Sequence, residues 1–425
     1  MVGGARSRAA RVRFRTALLL GVVAAVFAVA PAAAGATGDD GPSAGDSSTG
    51  AVYTATNGPA GNEVVAFSRH ADGTLTPLQT ISTQGLGTAA QPPFGFPIVD
   101  SSGSINLTRD GRLLFVVNSG DNSVTSFRVG PGGWLTFADR APSGGALPIS
   151  LTSNEEGDVL YALNEFTGSI QGFHVSRNGQ LSWINGSNQS LNPGGGNTVA
   201  GAIGFAHDDH VLVVTLRGAG ANGVINTFQM HDDVAGPAQV FDSPAANPFG
   251  FAAQGHDNII LSHAGPAGDG NPFNFANFTG YVSSFRVSGS GALSQNDFQL
   301  SSPAPSARAA CWVTVTEDQR YAFVTNTLSS TQVGSGDGAV TRFAVSDKGK
   351  LTFLGRTDTV PGLTSDEALS SHSRYLYTVV ASIFLAPAGV QSTIAEFRVG
   401  AGGSLTFVGH TTITLPPGVS GLAAY

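Results

Sequence analysis

The chain has 425 residues with 21 basic against 29 acidic, and taking away the five arginines of its N-terminal segment leaves 16 basic, a net of −13. With Lys348 and Lys350 as its only lysines, such a surface argues against nucleic acid or anionic lipid as a partner. A single cysteine, Cys311, excludes an intrachain disulfide framework, and 57 glycines with 22 prolines point to a turn-dense, many-stranded fold.

Arg6, Arg8, Arg11, Arg13 and Arg15 precede an apolar run from Ala17 to Ala30, followed by the small residues Ala32 to Ala36. That is the pattern of a secretory signal peptide, expected over residues 1–36. The run is short for a bilayer span and stops at Pro31. The chain is therefore expected to be secreted, with no membrane span once the signal is removed. Residues 37–50 are small and polar and are expected to form a flexible leader.

Residues 51–425 repeat one unit seven times and are expected to form one domain. An apolar strand (B) starts near Val52, Leu114, Leu160, Val211, Ile259, Tyr321 and Tyr375. A strand carrying an aromatic (C) follows: Glu63–Phe67, Val124–Val129, Ser169–Phe173, Val224–Phe228, Tyr281–Phe285, Val340–Phe343 and Thr393–Phe397. A glycine turn then leads to a leucine-bearing strand (D), as at Gly73-Thr-Leu75 and Gly403-Ser-Leu405. Strands placed before B (A) read at Ser104–Leu107, Ile149–Leu151, Ala202–Phe205, Phe249–Ala252, Cys311–Val315 and Glu367–Leu369. The first copy has no A strand, whereas the chain ends on an orphan, Val419–Tyr425, that can supply it. A four-stranded unit cannot bury both faces alone, so the copies must stack. The expectation is an all-β, seven-bladed β-propeller with four-stranded blades and one-plus-three closure by the C-terminal strand.

The stretch Leu107-Thr-Arg-Asp-Gly-Arg-Leu-Leu-Phe-Val-Val-Asn-Ser-Gly-Asp-Asn-Ser-Val-Thr-Ser-Phe127 resembles the blades of lactonase-like propellers. These include bacterial 6-phosphogluconolactonase and fungal 3-carboxymuconate cyclase. Asp158-Val-Leu-Tyr-Ala-Leu-Asn-Glu165 and Glu317-Asp-Gln-Arg-Tyr-Ala-Phe-Val-Thr-Asn326 carry the same stamp. The resemblance covers nearly all of residues 51–425 and implies fold better than activity, because one blade serves many functions. It also implies a His, two Arg and a Glu near the central channel, where an acid or base works beside cations that stabilise a lactone's developing charge. Carried over, Asn164-Glu165 keeps the Glu. Ile149 stands where one Arg is expected, the His position falls near Gly103, and Asn326-Thr-Leu328 lacks the other Arg. One of the four groups remains.

Glu165 then reads either as a working acid/base or as an ordinary turn carboxylate, and Arg217, His263 and Arg308 are candidate partners. His207-Asp-Asp-His210, with His231-Asp-Asp233 and His256-Asp257, looks like a metal cluster. Its place in the A–B turn, the slot of Arg109-Asp-Gly111, explains Asp and Gly by turn chemistry instead. No metal and no cofactor are expected. Two long connections stand out: Gln84 to Gly103, with Phe94 and Phe96, and Ser262 to Gly280, with Phe273 and Phe275. With Phe249 and Trp312 near them, they either form a ligand face or seal the ring. The leading expectation is a monomer binding a small molecule, glycan or protein on that top face, with catalysis reduced or lost. The rival is an extracellular lactonase or cyclase that opens or closes a lactone ring with Glu165.

Overall fold

The B strands are unbroken apolar runs because each has a neighbouring sheet on both faces. Every residue of Leu113–Asn118, Val159–Asn164 and Val211–Leu216 is buried. The D strands carry polar and exposed residues, as in Leu75–Ser82, because they form the rim. The computed structural model describes residues 48–88, 90–91, 96–97, 102–194, 199–217, 222–265, 279–302, 308–328, 338–381, 392–411, 415 and 418–425. Within these, the strands build seven antiparallel sheets, each ordered A-B-C-D, plus a two-stranded ribbon. The expected fold is the one observed.

Blade one joins Ser48–Ala55, Glu63–His70 and Leu75–Ser82 to Ser420–Ala424 from the C-terminus, with Val52 opposite Ala424. The first strand thus begins inside the expected leader, because Ser48 and Gly50 pair with His70 and Arg69. Blades three and four have five strands, since the outer strand is split into Leu181–Trp183 and Gln189–Ser190, and into Val234–Ala235 and Gln239–Asp242. Strand A of blade seven, Leu363–Leu369, starts earlier than its sequence suggests. Among the described residues no helix is long and apolar enough to cross a membrane.

The A strands contact one another in cyclic blade order, one to seven and back to one, so they surround the axis. Closure has its own core: Val52, Val65 and Phe67 of blade one pack with Tyr375, Tyr377 and Val379 of blade seven. Hydroxyls tie successive blades to the next turn. Tyr53 Oη donates to Gly133 O at 2.9 Å, Thr227 Oγ1 to Gly291 O at 2.7 Å, and Tyr377 Oη to Gly73 O at 2.8 Å. The last joins blade seven to blade one. Gly73, at φ +94, holds a left-handed turn that a Cβ would drive into the Tyr375 ring. Each such bond contributes about 1 kcal/mol net, and the apolar faces beneath contribute far more.

Strand A of blade two, Ile105–Leu107, is unusually short. Just before it, Ser102 N–H donates to Gly201 O at 3.0 Å, and Gly103 O accepts from Leu151 N–H at 2.8 Å. A Cβ on Gly250 would lie 3.3 Å from Ser102 Cβ. Main chain from blade two that touches strands A of blades three, four and five has to run inside the ring. A cavity of ≈ 460 Å³ adjoins it, lined by Ser102, Gly103, Leu151, Ile203 and Phe251 and reaching the A–B turns at Glu155, His207 and Asp208.

Candidate functional site

The B–C and D–A connections gather at one end of the ring, where each A strand starts. The residue that follows strand B meets the first residues of the next blade's A strand. In blade two, Ser119 Oγ donates to Pro148 O. In blade three that residue is Glu165, whose carboxylate accepts from Ala200 N–H at 3.0 Å. In blade four it is Arg217, whose guanidinium lies 4.7 Å above the Phe249 ring while its amide donates to Val199 O at 2.7 Å. Glu165 and Arg217, both half-buried, therefore flank the same dipeptide, Val199-Ala200. The Glu165 carboxylate and the Arg217 main chain meet at the start of one inner strand, while the Arg217 guanidinium lies over Phe249 of the next.

Phe249 is 1% exposed and packs edge-on against Trp312 at 4.9 Å. Ala264, Ala309 and Cys311 complete this small core. Cys311 Sγ sits 3.1 Å from Ala309 O and accepts from Thr327 Oγ1. Arg308 opens strand A of blade six, opposite Leu328, and is buried. Arg217, Phe249 and Trp312 thus form a cation–aromatic stack across blades four to six, with Glu165 one blade away.

His263 lies elsewhere. It is fully buried, with Nε2 2.7 Å from Ser283 Oγ and Nδ1 3.2 Å from Ser243 Oγ. Burial pushes its pKa down from 6.5 to about 3, against a smaller opposing effect of the Ala245 backbone. Aligning the blades explains it. Asn118 and Asn164 end strand B in blades two and three, Asn326 takes the same register two residues before the end of strand B in blade six, and all are buried. Asn118 Nδ2 donates to Thr125 Oγ1 at 2.8 Å and Asn326 Nδ2 to Thr341 Oγ1 at 2.9 Å, the strand C position of Ser283. His263 fills a slot that ties strand B to strand C.

Phe94, Phe273 and Phe275 lie outside the described residues. Phe96 pairs with Gln91 in the short ribbon. Two carboxyls not singled out in the sequence are buried in strand A of blade seven: Asp366 at 4% exposure and Glu367 at 8%. Burial pushes the Glu367 carboxyl well above the usual range; the Thr314 amide offsets this in part, without completing a hydrogen bond, and Asp366 reinforces it. Acidic residues inside an inner strand look exposed in sequence, so composition gave no signal.

A family model for seven-bladed β-propeller lactonases matches residues 59–194. Over that stretch the chain is similar to the lactonase-type seven-bladed propellers. Its fold resembles a candidate 6-phosphogluconolactonase from Bacteroides fragilis, with a TM-score of 0.61 at 18% identity over 91% of this chain and 100% of that one. It also resembles the periplasmic gluconolactonase of Pseudomonas aeruginosa, with a TM-score of 0.59 at 17% identity over 87% and 98% of the two chains. A hypothetical selenium-binding protein from Sulfolobus tokodaii scores 0.57 at 8% identity. No curated protein matches the sequence. At such identities the likeness extends to fold alone. The positions where the resemblance implies Arg or His hold groups without acid–base chemistry. Ile149 is buried, Gly103 offers a carbonyl, and Thr327, in the place of the second Arg, donates to Cys311 Sγ.

Proposed function

We propose that this lactonase-like propeller is exported and binds a small, partly apolar ligand, a sugar acid or glycan fragment, at the Glu165–Arg217–Phe249 end of the ring, with ring-opening catalysis reduced or lost. The observation that carries the reading is the Arg217–Phe249–Trp312 stack, which holds a half-buried cation at the end of the ring that also carries the Glu165 carboxylate. A guanidinium suits a carboxylate, and the buried Phe249–Trp312 pair fixes Arg217 from beneath. Lost catalysis is supported by the sealed His263: a fully buried imidazole with both nitrogens engaged cannot reach a substrate as general base. The Arg-rich, then apolar, N-terminal segment supports export.

The test is a thermal-shift and calorimetric panel of aldonic acids, lactones and oligosaccharides on the wild type and on Arg217→Met. A member of the panel is expected to raise the Tm of the wild type and to lose at least tenfold in affinity in the variant. Equal binding by both proteins contradicts the site. Fractionation of producing cells tests export: the chain is expected outside the cytoplasm, shortened by the N-terminal segment. A second reading, an active lactonase, is favoured by one observation, that Glu165 and Arg217 flank the same dipeptide. It requires turnover that depends on Glu165.

A further inference from the structure

At the opposite end of the ring, the A–B turns of blades four and five bring together His207, His256 and Asp257, with one ligand atom from each within 4.8 Å of the other two. We infer that these residues bind a borderline divalent transition ion, zinc by preference, through two imidazole nitrogens and one carboxylate oxygen.

Asp257 Oδ1 lies 3.0 Å from His207 Nδ1 and 3.4 Å from His256 Nε2. With metal–ligand bonds of about 2.0–2.2 Å, donors around a tetrahedral zinc lie about 3.3–3.6 Å apart, so the spacing fits one ion among them. The orientation is the second observation. His207 Nδ1 and Asp257 Oδ1 face each other, yet both atoms are buried and neither makes a hydrogen bond. A buried donor and acceptor at that distance ordinarily pair; lone pairs that converge on a shared point do not. The surroundings are the third. Asp208 Oδ2 contacts His256 Nδ1, the nitrogen away from the cluster, as a carboxylate does when it orients a metal-binding imidazole. Arg286 holds the other oxygen of Asp257 with Nε at 3.1 Å and Nη2 at 2.9 Å, which turns Oδ1 inward.

The local backbone departs from the repeat in the same place. The corresponding turns of blades two and three each use a left-handed glycine, Gly111 at φ +70 and Gly157 at φ +71. Here His207, Asp208 and Asp209 are all left-handed, at φ 53, 48 and 63. Turn chemistry accounts for Asp208 and Asp209 but not for the convergence of His207 with His256 and Asp257 of the next blade. Two imidazoles and a carboxylate suit Zn²⁺, Ni²⁺ or Cu²⁺ over Mg²⁺ or Ca²⁺. Three protein ligands leave a fourth position to solvent, at the rim of the cavity that His207 and Asp208 line.

The experiment uses the full chain, purified without a histidine tag and stripped with chelator, then titrated with Zn²⁺ by calorimetry and with Co²⁺ by visible absorption. One equivalent is expected to bind, with the intense bands of tetrahedral Co²⁺, and Zn²⁺ is expected to raise the Tm by mass action. His256→Ala and Asp257→Asn should abolish the bands, and Asp208→Asn should weaken binding about 10–100-fold. His210→Ala, whose ring nitrogen meets the His207 and Asp208 carbonyls instead, should bind like the wild type. Circular dichroism of each stripped variant checks that it is folded. No saturable binding to the wild type, or equal binding by folded His256→Ala and Asp257→Asn, overturns the inference.

Discussion

His263 offers a worked test of how the blades are tied. In the folded chain it is fully buried and its pKa is pushed from 6.5 down to about 3. The unfolded chain therefore takes up a proton on this residue below about pH 6.5 while the folded chain does not, so stability falls as pH falls. Integrating the linkage gives a loss of about 2 kcal/mol between about pH 7.5 and about pH 5, rising to a ceiling of about 5 kcal/mol below pH 3. His263→Asn places in blade five the side chain that blades two, three and six use in the same slot. The smaller amide costs about 1–3 kcal/mol at neutral pH through lost packing. It has no proton to gain, so the 2 kcal/mol acid-dependent part should vanish. Urea unfolding of both proteins at the two pH values isolates it, because every other titrating group cancels in the difference. Parallel pH dependences for wild type and variant would refute the reasoning.

Glu367→Gln should act with the opposite sign. Its carboxyl is held well above 4.5 by burial, so the folded chain keeps a proton that the unfolded chain releases, and wild-type stability is lost as pH rises above 4.5. Relative to Glu367→Gln, the unfolding free energy from urea titrations should fall as pH rises above 4.5, by at most about 1.4 kcal/mol per pH unit, until the folded group ionises. Deleting Val419–Tyr425 should leave the Ser48–Ala55 edge unpaired and remove Val419 and Leu422 from the blade-seven interface. The expected outcome is loss of the monomer peak in size-exclusion chromatography with soluble aggregate in its place. A monomeric truncated protein with unchanged Tm would show that the ring does not depend on that strand.

The repeat made most of the fold legible. Recurring apolar runs placed the B and C strands, and the orphan Val419–Tyr425 could be matched to the copy that lacked a strand. The inner strands were harder, because Leu363–Leu369 carries Asp366 and Glu367 where other blades carry apolar residues. Ser102 and Gly103 left no trace, since their place inside the ring rests on backbone hydrogen bonds that any sequence can make. For the site, aligned copies already held the signal for His263: Asn118, Asn164 and Asn326 share its slot. The nearness of Glu165 to Arg217 was not visible, because it depends on the Glu165 carboxylate and the Arg217 main chain reaching one dipeptide of blade four. His207 and His256 were read as separate turns for the same reason: adjacent blades align their A–B turns only once the ring is closed.

The most direct measurement is the hydrolysis of a panel of sugar and muconate lactones by purified wild-type protein and by Glu165→Gln. A binding propeller with its acid–base groups reduced to Glu165 predicts rates equal to the uncatalysed background for both proteins. Turnover by the wild type that disappears in Glu165→Gln would contradict it and establish the enzyme.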